Sequence, residues 1–127
     1  MLILLTNTGD GLQGIRLADG LSNSSGRVEL FISGRWETVC DSYTNWNLVS
    51  ATVVCRQLGH NAAYAAPTEA FFGEGSGSVW GEVIQCTGDE TSISRCSRRS
   101  RDHCIDDLND VGVICGGKNR PLETVYM

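Results

Sequence analysis

Two runs of mixed polarity flank Ser33-Gly34. Arg27, Val28, Glu29 and Leu30 alternate between charged and apolar on one side, the pattern of a half-buried strand. Arg35 to Cys40 follows on the other side, so the two runs are expected to pair as a hairpin. Ile15 to Leu17 makes a further short strand ended by Asp19-Gly20, and Asn23-Ser24-Ser25-Gly26 makes a turn. The period then changes. Leu48, Ala51, Cys55 and Leu58 recur on one face of a 3.6-residue repeat, which predicts a helix over 48–58. Asn47 or Ser50 can cap its start, and Gly59 suits its stop. Val53 and Val54 lower its intrinsic propensity, so tertiary packing has to hold it. Residues 59–77 read as loop, Val79 to Gln85 as a strand, Ser92 to Arg95 as a helical turn and Val111 to Ile114 as a last strand. Three tryptophans, Trp36, Trp46 and Trp80, sit in or beside these elements and read as core anchors.

The chain has 127 residues, enough for one domain with a core of its own. The expected division is a flexible lead-in over 1–14, a domain over 15–116 and a tail over 117–127. Six cysteines, at 40, 55, 86, 96, 104 and 115, are even in number and lack the tight pairs of a zinc site. They read as three disulfides, and so as a domain made for an oxidising, extracellular space. Sequence alone leaves about fifteen pairings open. Secretion implies that the chain is part of a longer secreted or membrane-anchored precursor. No stretch has the length of a membrane span.

The net charge of −5 argues against a dedicated nucleic-acid partner. Gly9-Asp10-Gly11-Leu12-Gln13-Gly14 imitates a dinucleotide fingerprint, but no helix pattern follows it. The two histidines, His60 and His103, have no nucleophile and orienting group in a recognisable frame. An enzyme is not expected.

Five stretches then carry a resemblance: IRLADG (15–20), GRVELFISGRWETVC (26–40), VVCRQLG (53–59), FGEGSGSVWGEVIQCTGDETSISRC (72–96) and DVGVIC (110–115). In this order, with six cysteines in register, the chain resembles the scavenger receptor cysteine-rich domain, of the group with six cysteines. The resemblance implies an α+β fold, a curved antiparallel sheet cradling one helix, with long loops. It implies the pairs Cys40–Cys104, Cys55–Cys115 and Cys86–Cys96. It also implies an extracellular ligand-binding module, recognising polyanionic microbial or modified-self surfaces or protein ligands. The alternative is a structural or protein–protein interaction domain within a larger mosaic receptor or protease-bearing protein.

Candidate sites follow. Arg95, Arg98, Arg99 and Arg101 form a basic run between cysteines. Their planar forks suit sulfate, phosphate and carboxylate groups. The competing reading is a solvated loop that offsets nearby acids. Arg27 and Arg35 flank the hairpin and are expected to join the ligand surface, as the resemblance implies for this region. Asp41, Asp106, Asp107 and Asp110 are an acidic set. The resemblance implies calcium held by Asp41 and Asp110, with Asp107 able to substitute where Asn109 replaces an acid; Ser42 also departs from the pattern. Asn23-Ser24-Ser25 is an N-glycosylation sequon in a turn.

Overall fold

The computed structural model describes residues 3–5, 12–40, 46–75, 78–80, 82–100 and 110–116. Its strands are β1 (Ile3–Leu5), β2 (Leu12–Asp19), β3 (Ser25–Ile32), β4 (Arg35–Val39), β5 (Ala63–Ala65), β6 (Ser78–Trp80), β7 (Glu82–Gln85), β8 (Ser97–Ser100) and β9 (Gly112–Cys115). Among the described residues a helix, α1, spans Leu48–Gln57, and a 3-10 turn spans Ile93–Arg95. Strands β1-β2-β3-β4-β6 lie side by side, β9 pairs with β3 and β5, and β7 and β8 form a separate ribbon. Among the described strands all pairings are antiparallel except β4 with β6.

The hairpin expected at Ser33-Gly34 is present. Ile32 pairs with Arg35, which leaves a two-residue connection. Both of its residues have positive φ, 51° and 89°, the left-handed geometry that matches the twist of tightly joined strands. Val28 and Leu30 are fully buried, as their alternation predicts.

The helix begins where its cap directs. Asn47 Oδ1 accepts the Ser50 N–H at 3.0 Å. At the other end Gly59 has φ 87°. Its N–H reaches Arg56 O at 3.0 Å, and the His60 N–H reaches Cys55 O at 2.9 Å. These two bonds form a Schellman stop and satisfy carbonyls that the helix leaves open. Burial goes beyond one stripe: Ser50, Thr52, Val53 and Val54 are covered along with Ala51 and Cys55. Leu48, assigned to the buried face, is 39% exposed. One core joins α1 to Ile15, Leu17, Val28, Leu30, Val39, Ile84, Ile93 and Val113. Trp46 fits the expected anchor role, being buried with its Nε1 donating to Gly112 O at 2.9 Å.

Two disulfides are described, Cys55–Cys115 and Cys86–Cys96. The first pins α1 to β9, and Cys55 is fully buried. Cys40 is also disulfide-bonded, and its expected partner, Cys104, lies outside the described residues.

Several sequence expectations need correction. The lead-in is not wholly loose: Leu4 pairs with Ile15, and β2 starts at Leu12, which is buried and pairs with Ile32. Gly14, within the lead-in expected to be flexible, sits in register opposite Phe31. The stretch 59–77 contains β5, held against β9. The single strand expected over 79–85 is two strands, β6 on β4 and β7 on β8. The tail over 117–127 lies outside the described residues.

Candidate functional site

Part of the arginine run is strand. Ser97–Ser100 form β8, which pairs with β7 in the register Gln85–Ser97, Ile84–Arg98, Val83–Arg99 and Glu82–Ser100. One step beyond Gln85–Ser97, Cys86 and Cys96 are joined, with Cα atoms 4.7 Å apart. The disulfide therefore closes the base of the 87–95 connection.

That connection is fixed to the body of the domain. Ile93 is buried, and its N–H donates to Gln57 Oε1 on α1 at 2.8 Å. Ile84 and Val83 are both buried, on opposite faces of β7: Ile84 joins the main core and Val83 packs with Cys40. Arg95 is exposed directly beside Cys96, and Arg98 is half-buried in β8. Arg99 lies in β8 with its side chain outside the described set, and Arg101 lies outside the described residues. The strand was missed because Ser-Arg-Arg-Ser has neither alternation nor β-forming side chains. The implied Cys86–Cys96 pair was the signal that places 82–85 beside 97–100.

Arg27 does not present itself to a ligand, and that expectation is corrected. Its side chain is 7% exposed. Nε donates to Glu29 Oε2 at 2.9 Å and Nη2 to Asp19 Oδ2 at 2.7 Å. Nη1 donates to the carbonyls of Phe72 and Gly73 at 3.3 and 3.1 Å. Burial alone would lower its pKa, but hydrogen bonds and charge from Asp19 and Glu29 outweigh that and raise it. The alternation that put Val28 and Leu30 in the core sends Arg27 and Glu29 to the opposite face, where the 70–75 segment covers them.

Arg16 completes the group. It pairs with Glu29 Oε1 at 2.6 Å, and its guanidinium lies 4.1 Å from the Trp36 ring centroid. Trp36 also meets Phe31 at 5.1 Å. It is half-exposed beneath a cation, so it is not the core anchor expected. Sequence gave no reason to select Arg16; its register opposite Glu29 does. Arg35 is 69% exposed at the hairpin end and 3.8 Å from Glu37.

The acidic set is mostly out of view. Asp41, Asp106, Asp107 and Asn109 lie outside the described residues. Asp110 is 1% exposed, its Oδ2 accepts the Gly75 N–H at 2.9 Å, and its carbonyl accepts the Ala70 N–H at 2.9 Å. Calcium wants about six to eight oxygens. Among the described residues this one inward-turned carboxylate does not make a cation site. Cys86, Glu90 and Cys96 cluster within 4.8 Å, but the disulfide removes both thiolates as ligands.

Asn23 is exposed in the β2–β3 turn. The sequon's serine, Ser25, is buried, and its Oγ accepts the Leu21 N–H at 3.2 Å.

Residues 18–116 match the family described as scavenger receptor cysteine-rich domain. Galectin-3-binding protein from Rattus norvegicus is 44% identical over 110 residues, which cover 85% of this chain and 19% of that protein. The chain thus spans about a fifth of the length of the curated relatives it matches. Among solved structures, the third such domain of murine neurotrypsin superposes with a TM-score of 0.72 at 42% identity, covering 80% of this chain and 94% of that one. The domain of mouse MARCO, in a dimeric form, gives 0.62 at 35% identity, with 72% and 86% covered.

Proposed function

The chain belongs to the scavenger receptor cysteine-rich family, and we propose that it is an extracellular binding module whose arginine ribbon takes polyanionic surfaces. One observation carries this reading. Arg95 stands beside the Cys86–Cys96 disulfide, and Arg98 and Arg99 follow in β8, paired with the buried Ile84 and Val83 of β7.

A basic segment on a mobile loop would lose conformational entropy on binding, as side chains and backbone become ordered. Here β7, the Cys86–Cys96 bond and the Ile93–Gln57 contact already hold the backbone. Guanidinium groups held on such a backbone take sulfate, phosphate or carboxylate groups of a polymer, each through two parallel hydrogen bonds. Exposed Arg35 is a further contact of the proposal; Arg27 is not. The described disulfides support an oxidising compartment. A glycan on Asn23 belongs to the same reading, since the exposed acceptor sits at a turn.

A second reading is favoured by the relatives themselves. They are named for binding a protein, galectin-3, and are about five times longer than the part matched here. In this reading the domain docks a protein or a neighbouring domain.

A salt titration separates the two. Binding of dextran sulfate through arginine–anion contacts should weaken steeply from low to physiological ionic strength, where the screening length falls to about 8 Å. A flat response would end the polyanion reading.

A further inference from the structure

Residues 67–75, Pro-Thr-Glu-Ala-Phe-Phe-Gly-Glu-Gly, form a connection that the arginine ribbon does not use. Glu69 and Ala70 stand consecutively in the left-handed region, at φ 57° and 54°. A residue with a Cβ is strained in this conformation. Strain of this kind persists only where surroundings impose it, and it concentrates at ligand-contacting segments.

Here the surroundings are explicit. The Ala70 N–H is held by Asp110 O, the Gly73 N–H by Ala70 O at 2.8 Å, and the Gly75 N–H by Asp110 Oδ2. Arg27 holds the carbonyls of Phe72 and Gly73.

This clamped segment lifts one ring into solvent. Phe71 is 67% exposed and stands edge-on to Phe72, with centroids 5.1 Å apart. Phe72 in turn lies against Gly112 of β9, where an added Cβ would strike its ring. Tyr64, 75% exposed, sits on β5, the strand beside β9. A lone exposed apolar side chain is ordinary. A ring fixed on a strained, multiply bonded backbone is different, because its ordering cost on binding has already been met by folding. The segment's own charges have one sign. Glu69 and Glu74 are exposed on either side of Phe71, and residues 67–75 contain no basic side chain.

We propose that the Phe71 segment is a second docking surface, for a protein partner offering an apolar pocket edged by lysine or arginine. Phe71 is the anchor, and the two glutamates orient the approach through charge complementarity. This surface is opposite in sign to the arginine ribbon. It goes beyond the polyanion reading, so the domain has two separable faces.

The test uses a lysine–leucine amphipathic peptide as probe for this face and dextran sulfate as probe for the ribbon. Amide chemical-shift changes on adding the peptide should centre on residues 69–74. Phe71→Ala should weaken peptide binding about tenfold, the scale of a moderate hot spot. Glu69→Gln with Glu74→Gln should flatten its salt dependence. None of these changes should alter dextran sulfate affinity, and an unchanged thermal midpoint for Phe71→Leu and Phe71→Ala would show that the fold is intact. Unchanged peptide affinity in Phe71→Ala, or shift changes spread evenly over the acidic surface, would overturn the proposal. Loss of dextran sulfate binding in wild type would strike the ribbon reading alone.

Discussion

Arg27 Nε lies 2.9 Å from Glu29 Oε2, two residues along one face of β3, with both side chains almost wholly withdrawn from water. Glu29 also holds Arg16, so one carboxylate serves two guanidinium groups. Removing a single partner from a buried pair leaves an uncompensated charge, at a cost of about 3–5 kcal/mol. Glu29→Gln should therefore lower unfolding free energy by that order in urea denaturation. A loss within about 0.5 kcal/mol, as at ordinary surface sites, would mean that water reaches Arg27 freely.

Gly75 packs over this group. A Cβ there would overlap Thr38 Cγ2 and approach Arg27 Nε and Glu29 Oε2 at 3.3 and 3.4 Å. Gly75→Ala should destabilise by about 1–3 kcal/mol, the range for overpacking. Hydrogen exchange should show faster opening over 70–75, because the Gly75–Asp110 bond is displaced. Unchanged protection there would contradict the packing described.

Cys55–Cys115 spans 60 residues and Cys86–Cys96 spans 10. Chain entropy assigns about 4 kcal/mol to the longer bond and about 3 to the shorter. Replacing the pairs in turn by alanine should reproduce that order in denaturant midpoints. The shorter bond should matter more for dextran sulfate binding, since it holds the ribbon. If the longer bond's removal alone abolished binding in a still-folded domain, the ribbon would not be the site.

Glu90 gives the stability a pH dependence. Its partial burial acts to raise its pKa, but the N–H groups of Thr87, Glu90 itself and Gly88 outweigh this and lower it. Thr87 and Gly88 N–H lie 3.0 and 2.9 Å from its oxygens. A carboxylate with a depressed folded pKa stabilises above its unfolded value, and that stability is lost as pH falls through the folded value. Stability should thus decline below the ordinary glutamate range of about pH 4, and Glu90→Gln should reduce the decline. Equal acid sensitivity in the variant would assign it to other carboxylates.

The helix, its two caps and the hairpin were legible because each is written in local chemistry. Asn47, Gly59 and Ser33-Gly34 hold the positions that capping and turn geometry require. Strands β5 and β8 were not legible, since Ala-Tyr-Ala and Ser-Arg-Arg-Ser are strands only through their partners, β9 and β7. The candidate site divides the same way. Four closely spaced arginines could be seen in the sequence, but the placement of Arg98 and Arg99 on a stapled ribbon depended on a long-range pairing. Arg27 was misread because a charge in an alternating strand usually faces water. Here Asp19, Glu29 and the carbonyls of Phe72 and Gly73, all remote in sequence or hidden by the fold, enclose it.

The most direct test of the arginine ribbon is dextran sulfate affinity after changing Arg95, Arg98, Arg99 and Arg101 together to glutamine. The account predicts a drop of about tenfold or more, equivalent to about 1.4 kcal/mol, with a shallower salt dependence and an unchanged fold. Affinity and salt slope equal to wild type in that variant would contradict it.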